Sequence, residues 1–376
     1  MGSLTESPLF SPIAVGNVTL SHRVVMAPMT RRRASSDFVP EPIMTEYYRQ
    51  RANVPGTLLI SEATAVSPRS AALPNTPGVW ADEHIEAWKP ITSAVHEQGS
   101  FIYVQLWMCG RAARPGAVSR GAEVVSASDI PWDSRSPKPR SLTGAEIQQC
   151  VEDFRQGAIN AVAAGFDGVE LHGANGYLLD QFTQDVSNQR QDQYGGSIEN
   201  RSRFPVMVAK AVADAIGPER VGYRVSPWSQ HHGMRMSNLI PQFKDLSRVQ
   251  GNADAPQNTE SIDFLADLWD RTSPIIFAGG YNAETSRKRV EDEEGRGRQA
   301  LVAFGRTFVS NPDLPLRIKR FLPVTRYNRD LFYEVGAKEG YTDYPTWEEE
   351  EVDWDTARSK EHVWPAGSAL KVSLEK

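Results

Sequence analysis

The amino-acid sequence predicts an α/β protein and favours a (β/α)8 TIM barrel over a doubly wound parallel sheet. Short apolar strands alternate with amphipathic helices along most of the chain, which favours a parallel sheet. No strand is followed by a Gly-x-Gly-x-x-Gly motif, which weighs against a doubly wound dinucleotide-binding domain. Polar side chains follow the central strand, and barrel enzymes carry their chemistry at that end of each strand.

The elements follow in order from the apolar pattern. A small hairpin is expected around Gly16 and Asn17, ahead of the first barrel strand. Strands are predicted at 23–26, 57–60, 101–106, 167–171, 220–226, 275–278 and 301–304. Helices are predicted at 42–52, 84–99, about 143–164 and 197–216, and from Ala283 and Asp313. Glu146 stands in capping-box spacing after Thr143, and residues 112–141 form a long loop of the kind that shapes a binding site.

The composition of the chain argues against several classes of function and location. The chain of 376 residues carries a net charge of -6, so it offers no basic surface for nucleic acid. Two cysteines indicate a reducing compartment. The N-terminus has no basic and apolar signal-peptide pattern, and no apolar run is long enough to span a membrane. We therefore expect a cytoplasmic protein, a monomer or homodimer, in one domain over 1–376 with an acidic tail at 347–376.

The stretch around the central strand carries the clearest candidate chemistry. His172 and Asn175 can both donate hydrogen bonds toward one point, such as a carbonyl or phenolate oxygen. Such donors polarise an enone, and Tyr177 could deliver a proton to the other carbon. Cys109 lies near a strand end, but without an evident base partner it is more simply structural. No motif indicates a metal site, and the pair His231 and His232 is interpreted as a surface pair.

Later strand ends suggest a phosphate site. Gly279 and Gly280 follow one late strand, and Gly305 and Arg306 follow the next. Glycine lets backbone N–H groups approach phosphate oxygens, and arginine adds a fork of donors. Gln105 offers a donor and an acceptor side by side, which matches the pyrimidine half of a flavin.

Two further side chains could interact with the same flavin ring. Arg224 could stabilise negative charge on it, and Thr30 could donate to an electron-accepting atom.

These residues resemble those of the Old Yellow Enzyme family of flavin-dependent ene-reductases, over about residues 8–346. Matching stretches begin at Arg23, Gly56, Gln105, His172, Tyr194, Ala303 and Ser310. The resemblance implies an FMN-binding barrel that takes hydride from NADPH and passes it to the β-carbon of an activated alkene, an enone or enal. It implies relatives in fungal secondary metabolism, including the aldehyde reductases and isomerases of ergot alkaloid pathways.

Individual roles follow from the same resemblance. The flavin-contacting positions would be Pro28, Thr30, Ala63, Gln105, Arg224, Gly279, Gly305 and Arg306. His172 and Asn175 would bind the substrate oxygen, Tyr177 would be the proton donor, and Tyr333 would lie at the pocket rim.

The sequence departs from the family in two places. Leu73 stands where relatives often have a substrate-facing tyrosine, which predicts an altered pocket. Between Met236 and Pro274 the family places a helix, the sixth strand and a second helix, but no strand can be recognised here. Three hypotheses for the function follow. The protein is an ene-reductase, an isomerase or cyclisation-promoting flavoenzyme, or a non-catalytic barrel whose sheet is interrupted at the sixth strand.

Overall fold

A computed structural model of the chain describes residues 7–113, 123–246 and 262–347. The predicted hairpin is present as β1 and β2. The strands are β1 Ile13–Val15, β2 Val18–Leu20, β3 Val24–Met26, β4 Leu58–Ala65, β5 Phe101–Trp107, β6 Val125–Ser126, β7 Arg140–Ser141, β8 Gly168–Gly173, β9 Val221–Val225, β10 Ile275–Ala278 and β11 Ala300–Phe304. All seven predicted barrel strands are therefore found.

The helices occupy the connections between these strands. They are α1 Pro42–Arg51, α2 Asp82–Glu97, α3 Gly144–Ala163, α4 Leu178–Thr183, α5 Ile198–Ile216, α6 Leu239–Leu246, α7 Asp263–Trp269, α8 Ala283–Gly295, α9 Arg306–Ser310 and α10 Leu314–Arg320. The capping box of α3 is confirmed, since the Thr143 hydroxyl accepts from the Glu146 N–H and the Glu146 carboxylate accepts from the Thr143 N–H. No helix within the described residues is both long and apolar enough to cross a bilayer.

The order of strands identifies a barrel. Within the described residues, one seven-stranded parallel sheet has the order β10, β11, β3, β4, β5, β8, β9. Chain order is kept from β3 to β9, and β10 and β11 join from the other side, beside β3. This is the cyclic order of a barrel, whereas a doubly wound sheet reverses direction at a switch point.

Strands β3, β4, β5 and β11 bury both faces, as barrel strands do. Inward side chains such as Val25, Leu58, Ile60 and Leu301 form one apolar cluster with the hairpin, which plugs the N-terminal end of the strands. Outward side chains of the same strands pack against the helices in a larger cluster. The inner cluster includes Tyr103, and the next inward side chain on that strand is the polar Gln105. The functional side chains therefore collect at the C-terminal end of the sheet.

The two strands that end the sheet are more exposed than the others. All eight residues of β4 are buried, whereas every residue of β9 is half-buried and only Phe277 is buried in β10. The described residues between these strands form α6, α7 and turns. Residues 247–261, on which the predicted loss of the sixth strand also depends, lie outside the described residues, so that loss stays a prediction.

Candidate active site

Strand register brings the predicted polar residues into two adjacent layers. Gln105 on β5 is level with Glu170 on β8, and His172 on β8 is level with Arg224 on β9. Side chains two apart on a strand share a face, so both layers point into the barrel mouth. Ala63 on β4 is level with Gln105 and adds a small side chain beside it. Four predicted residues from four strands thus line one wall.

Glu170 belongs to this wall but was missed by sequence reasoning. Its carboxylate accepts a hydrogen bond of 2.7 Å from the Gln105 amide. Burial raises the pKa of Glu170, and the charge of Arg224 opposes that rise. The available signal was its spacing, because Glu170 precedes His172 by two residues on the same face of β8. It orients the Gln105 amide and balances the Arg224 charge.

Tyr177 is the N-cap residue of α4, and three aromatic rings contact its own ring. Its ring centroid lies 4.8 Å from that of His172, 5.2 Å from Trp107 and 5.1 Å from His232. Burial raises the pKa of the Tyr177 phenol, and Cys109 and Tyr333 contribute to the rise. The phenol therefore keeps its proton at neutral pH, as a general acid must.

His172 is a neutral imidazole in this environment. Its side chain is buried, with 6% of its surface exposed. Burial lowers its pKa well below the ordinary value, and the charges of Arg224 and His232 lower it further. Its Nδ1 is buried and has no hydrogen-bond partner among the described residues. A buried nitrogen of this kind is costly unless a ligand meets it, which suits a binding role.

Asn175 lies in a turn that is held from both sides. Its φ is +56°, in the left-handed region that asparagine tolerates better than most residues. Its N–H donates to the Ser226 hydroxyl at 2.7 Å, and its carbonyl lies 2.8 Å from His232 Nδ1. Next to it, a side chain at Gly176 would clash with His231, His232 and Met234. The turn is thus packed against the loop that follows β9.

The structure corrects the interpretation of the histidine pair. His231 is exposed, as a surface residue would be, but His232 is half-buried against Tyr177 and against Trp132 of the long loop. Sequence reasoning could not separate the two because nothing local marks which neighbour faces the pocket.

The candidate phosphate-binding residues lie at the C-terminal ends of β10 and β11. Gly279 and Gly280 have φ values of +118° and +70°, and a Cβ at either position would meet no atom within 4 Å among the described residues. Gly305 packs against Met29, which places the segment of Pro28 and Thr30 beside it. Arg306 is exposed, with its guanidinium 5.5 Å from the Tyr327 ring centroid. The glycines leave room for an anion at this edge.

The rim contains the remaining predicted residues. Tyr333 is 52% exposed and lies close enough to Tyr177 to affect its pKa. Leu73 is half-buried and packs in a cluster with Trp107, Cys109 and Tyr177. The departure noted in the sequence therefore lies at the pocket wall. Burial raises the pKa of the Cys109 thiol well above its usual value, so it is not poised as a nucleophile.

A family model describing the NADH:flavin oxidoreductase / NADH oxidase family matches residues 8–324. The chain belongs to this family. The resemblance to Old Yellow Enzyme is thereby confirmed. Members of the family use FMN.

Comparison with individual proteins supports the same family. The chain is similar to the chanoclavine-I aldehyde reductase fgaOx3 of Penicillium roqueforti, with 48% identity over 89% of this chain and 95% of that protein. It is 44% identical to the probable inactive dehydrogenase easA of Claviceps purpurea, over 91% of this chain and 96% of that protein. An asparagine-to-alanine variant of morphinone reductase in complex with tetrahydroNAD superposes with a TM-score of 0.83 and 36% identity, covering 92% of this chain and 99% of that one.

The residues present fit FMN. Gln105 and Arg224 present an amide and a cation on the inner wall, and His172 keeps an unpartnered nitrogen there. The open glycines at the β10 edge are suited to a phosphate. Among the described residues, no group of His, Cys, Asp or Glu side chains could hold a metal ion.

Proposed function

We propose that this protein is an FMN-dependent ene-reductase that reduces the C=C bond of an α,β-unsaturated carbonyl compound with NADPH, in fungal secondary metabolism. The observation that carries the proposal is the clustering of His172, Asn175 and Tyr177 at the end of β8, beside the Gln105 and Arg224 wall. A donor pair and a protonated phenol are the groups that polarisation and protonation of an enone require.

Each side chain of the site has a separate role in the proposed reaction. When bound, FMN supplies the hydride. His172 is neutral, so it offers one N–H donor, and the Asn175 amide is the second donor to the substrate oxygen. Tyr177 holds the proton for the carbon next to the carbonyl, because burial keeps its phenol protonated. Gln105 binds an amide edge of the flavin, and Arg224 balances negative charge on the ring.

The nicotinamide donor and the substrate class rest on comparison. The morphinone reductase neighbour holds tetrahydroNAD, a nicotinamide ligand, which supports a nicotinamide donor for this chain. The relative from Penicillium roqueforti is named for an aldehyde substrate, which supports an enal or enone here. We further propose that the protein acts in the cytoplasm as a monomer or homodimer without a nucleic-acid partner.

A visible spectrum tests the proposal first. The purified protein is expected to be yellow, to bleach when NADPH is added anaerobically, and to regain its colour when an enal such as cinnamaldehyde follows. Parallel addition of NADH measures the preference between the two nucleotides. A colourless protein that takes up no added FMN would contradict the proposal, and it would make the non-catalytic barrel the leading reading.

A non-catalytic role has one specific observation in its favour. The Claviceps purpurea relative is named as a probable inactive dehydrogenase, although it is similar over nearly its whole length. Against this stands the intact set of His172, Asn175 and Tyr177 in this chain. An isomerase would turn over its substrate without stoichiometric loss of NADPH, which is detected by measuring NADPH absorbance and product together during turnover.

A further inference from the structure

We propose that His232 is a positioning residue for the substrate-binding turn, which it holds through the carbonyl of Asn175. This inference rests on the proposed function, and it concerns a side chain that neither the sequence motifs nor the family match assigns. His232 lies 60 residues beyond His172 in the chain, in the loop after β9, yet it meets both Asn175 and Tyr177.

The tautomer of His232 follows from its partner. Its Nδ1 is 2.8 Å from the Asn175 carbonyl oxygen, and a carbonyl can only accept. Nδ1 therefore carries a proton and donates it. The Asn175 N–H is held by Ser226 at 2.7 Å. Both backbone groups of Asn175 are thus bonded to the loop after β9, so this loop sets the position of the Asn175 turn.

Packing adds a second constraint. The His232 ring centroid lies 5.1 Å from that of Tyr177, and the Trp107 and His172 ring centroids lie 5.2 Å and 4.8 Å from it. A side chain on Gly176 would come within 2.8 Å of His232 Cβ, so the turn and the loop are in close contact. His232 therefore contacts both Tyr177, the proposed acid, and the turn of Asn175, one of the two proposed donors to the substrate oxygen.

The loop that carries His232 is itself anchored. The Arg111 guanidinium donates to the His232 carbonyl at 3.0 Å and to the Ile130 carbonyl at 3.2 Å. The Gln184 side-chain oxygen accepts from the N–H groups of Arg235 and Met236. These bonds tie the loop to the turn after β5, which carries Arg111, and to the end of α4, which carries Gln184.

Four variants test the proposal in the FMN-loaded protein. His232→Asn retains an N–H donor close to the place of Nδ1, whereas His232→Phe keeps a ring and loses the donor. His232→Ala loses both, and His231→Gln is the matched control on the exposed neighbour. Binding of a para-substituted phenol is followed by the change in the visible flavin spectrum, and reoxidation of reduced flavin by cinnamaldehyde is followed by stopped flow.

The expected pattern is specific. Flavin reduction by NADPH stays at the wild-type rate in the control His231→Gln. Phenol binding and reoxidation by the enal each weaken about threefold to tenfold in His232→Phe and His232→Ala, the range for one lost hydrogen bond. His232→Asn recovers most of the loss, and His231→Gln behaves as wild type. Wild-type phenol binding and reoxidation in His232→Phe would overturn the proposal.

A measurement that does not depend on flavin chemistry tests the role of His232 independently of the proposed enzymatic function. In protein labelled with ¹⁵N-histidine, the resonances that disappear in His232→Asn are expected to report a ring protonated at Nδ1. A ring protonated only at Nε2 would overturn the role of His232 even if the protein is an active ene-reductase. Conversely, an Nδ1-protonated ring in a protein without FMN would leave the positioning bond intact and contradict only the enzymatic function.

Discussion

At the scale of single residues, the environment of Tyr177 decides what its phenol can do. Burial and the nearby Cys109 and Tyr333 raise its pKa, so the proton is retained until a stronger base forms beside it. A carbanion-like carbon next to a polarised carbonyl is such a base. The aromatic rings of Trp107, His172 and His232 limit how the phenol can turn.

Replacing this phenol separates the two halves of the reaction. Tyr177→Phe keeps the ring and its packing but removes the acid. We expect reoxidation of reduced flavin by an enal to slow about 10²-fold or more, the usual contribution of a general acid. Flavin reduction by NADPH is expected to stay within about twofold. Stopped-flow spectra of each half-reaction measure both rates, and equal slowing of the two would argue against an acid role.

At the scale of elements, the starts of β3 and β4 are joined by a buried histidine. His22 Nδ1 accepts from the Val24 N–H, so its Nε2–H donates to the Thr57 hydroxyl at 3.0 Å. Burial lowers the pKa of His22 to about 4, with a smaller effect from Lys319. The ring is neutral in the folded barrel over most of the acidic range, whereas an unfolded histidine titrates near 6.5.

This difference predicts a pH dependence of stability. Between pH 6.5 and about 4 the unfolded state binds a proton that folded His22 does not, so the free energy of unfolding falls as the pH falls. The loss from this residue approaches about 3 kcal/mol near pH 4. His22→Gln removes the titration, so urea unfolding from pH 7 to 4 should show a shallower decline than wild type. Parallel curves for the two proteins would refute this account.

At the scale of the whole molecule, buried arginines join the two ends of the barrel sequence. The Arg31 guanidinium donates to the carbonyls of Phe332 and Gly340, which lie 301 and 309 residues away. Arg33 donates to the same Phe332 carbonyl at 2.7 Å. Tyr47 and Tyr341 stack in parallel with ring centroids 4.1 Å apart. These contacts hold the segment that carries Tyr333 over the pocket.

Breaking one arginine of this set should affect both stability and substrate affinity. Arg31→Met leaves the buried Gly340 carbonyl without this donor, and we expect the free energy of unfolding to fall by about 2–4 kcal/mol. The KM for the enal should rise, because the Tyr333 segment loosens. Arg49→Met, in an exposed pair with Glu46, is the control and should change stability by less than about 0.5 kcal/mol. Similar losses in both variants would show that burial of the arginine is not decisive.

The less buried strands β9 and β10 bear on how the whole barrel holds its cofactor. If the wall closes well enough to bind FMN, added FMN should raise the midpoint of thermal unfolding. At 100 times the dissociation constant the gain is about 2.7 kcal/mol of stability. A cooperative transition with no shift on adding FMN would mean that the folded protein does not bind FMN.

The sequence alone was sufficient for the barrel strands, the α3 cap and the placement of His172, Asn175 and Tyr177 at one strand end. These features depend on local periodicity, on caps a few residues apart and on one contiguous stretch. Only the tertiary structure placed His232 against Tyr177, Glu170 beside Gln105, and Arg31 on Gly340. Such contacts join residues 55 to 309 positions apart. No local pattern records which buried donor will meet which carbonyl, because that choice depends on how the strands close around each other.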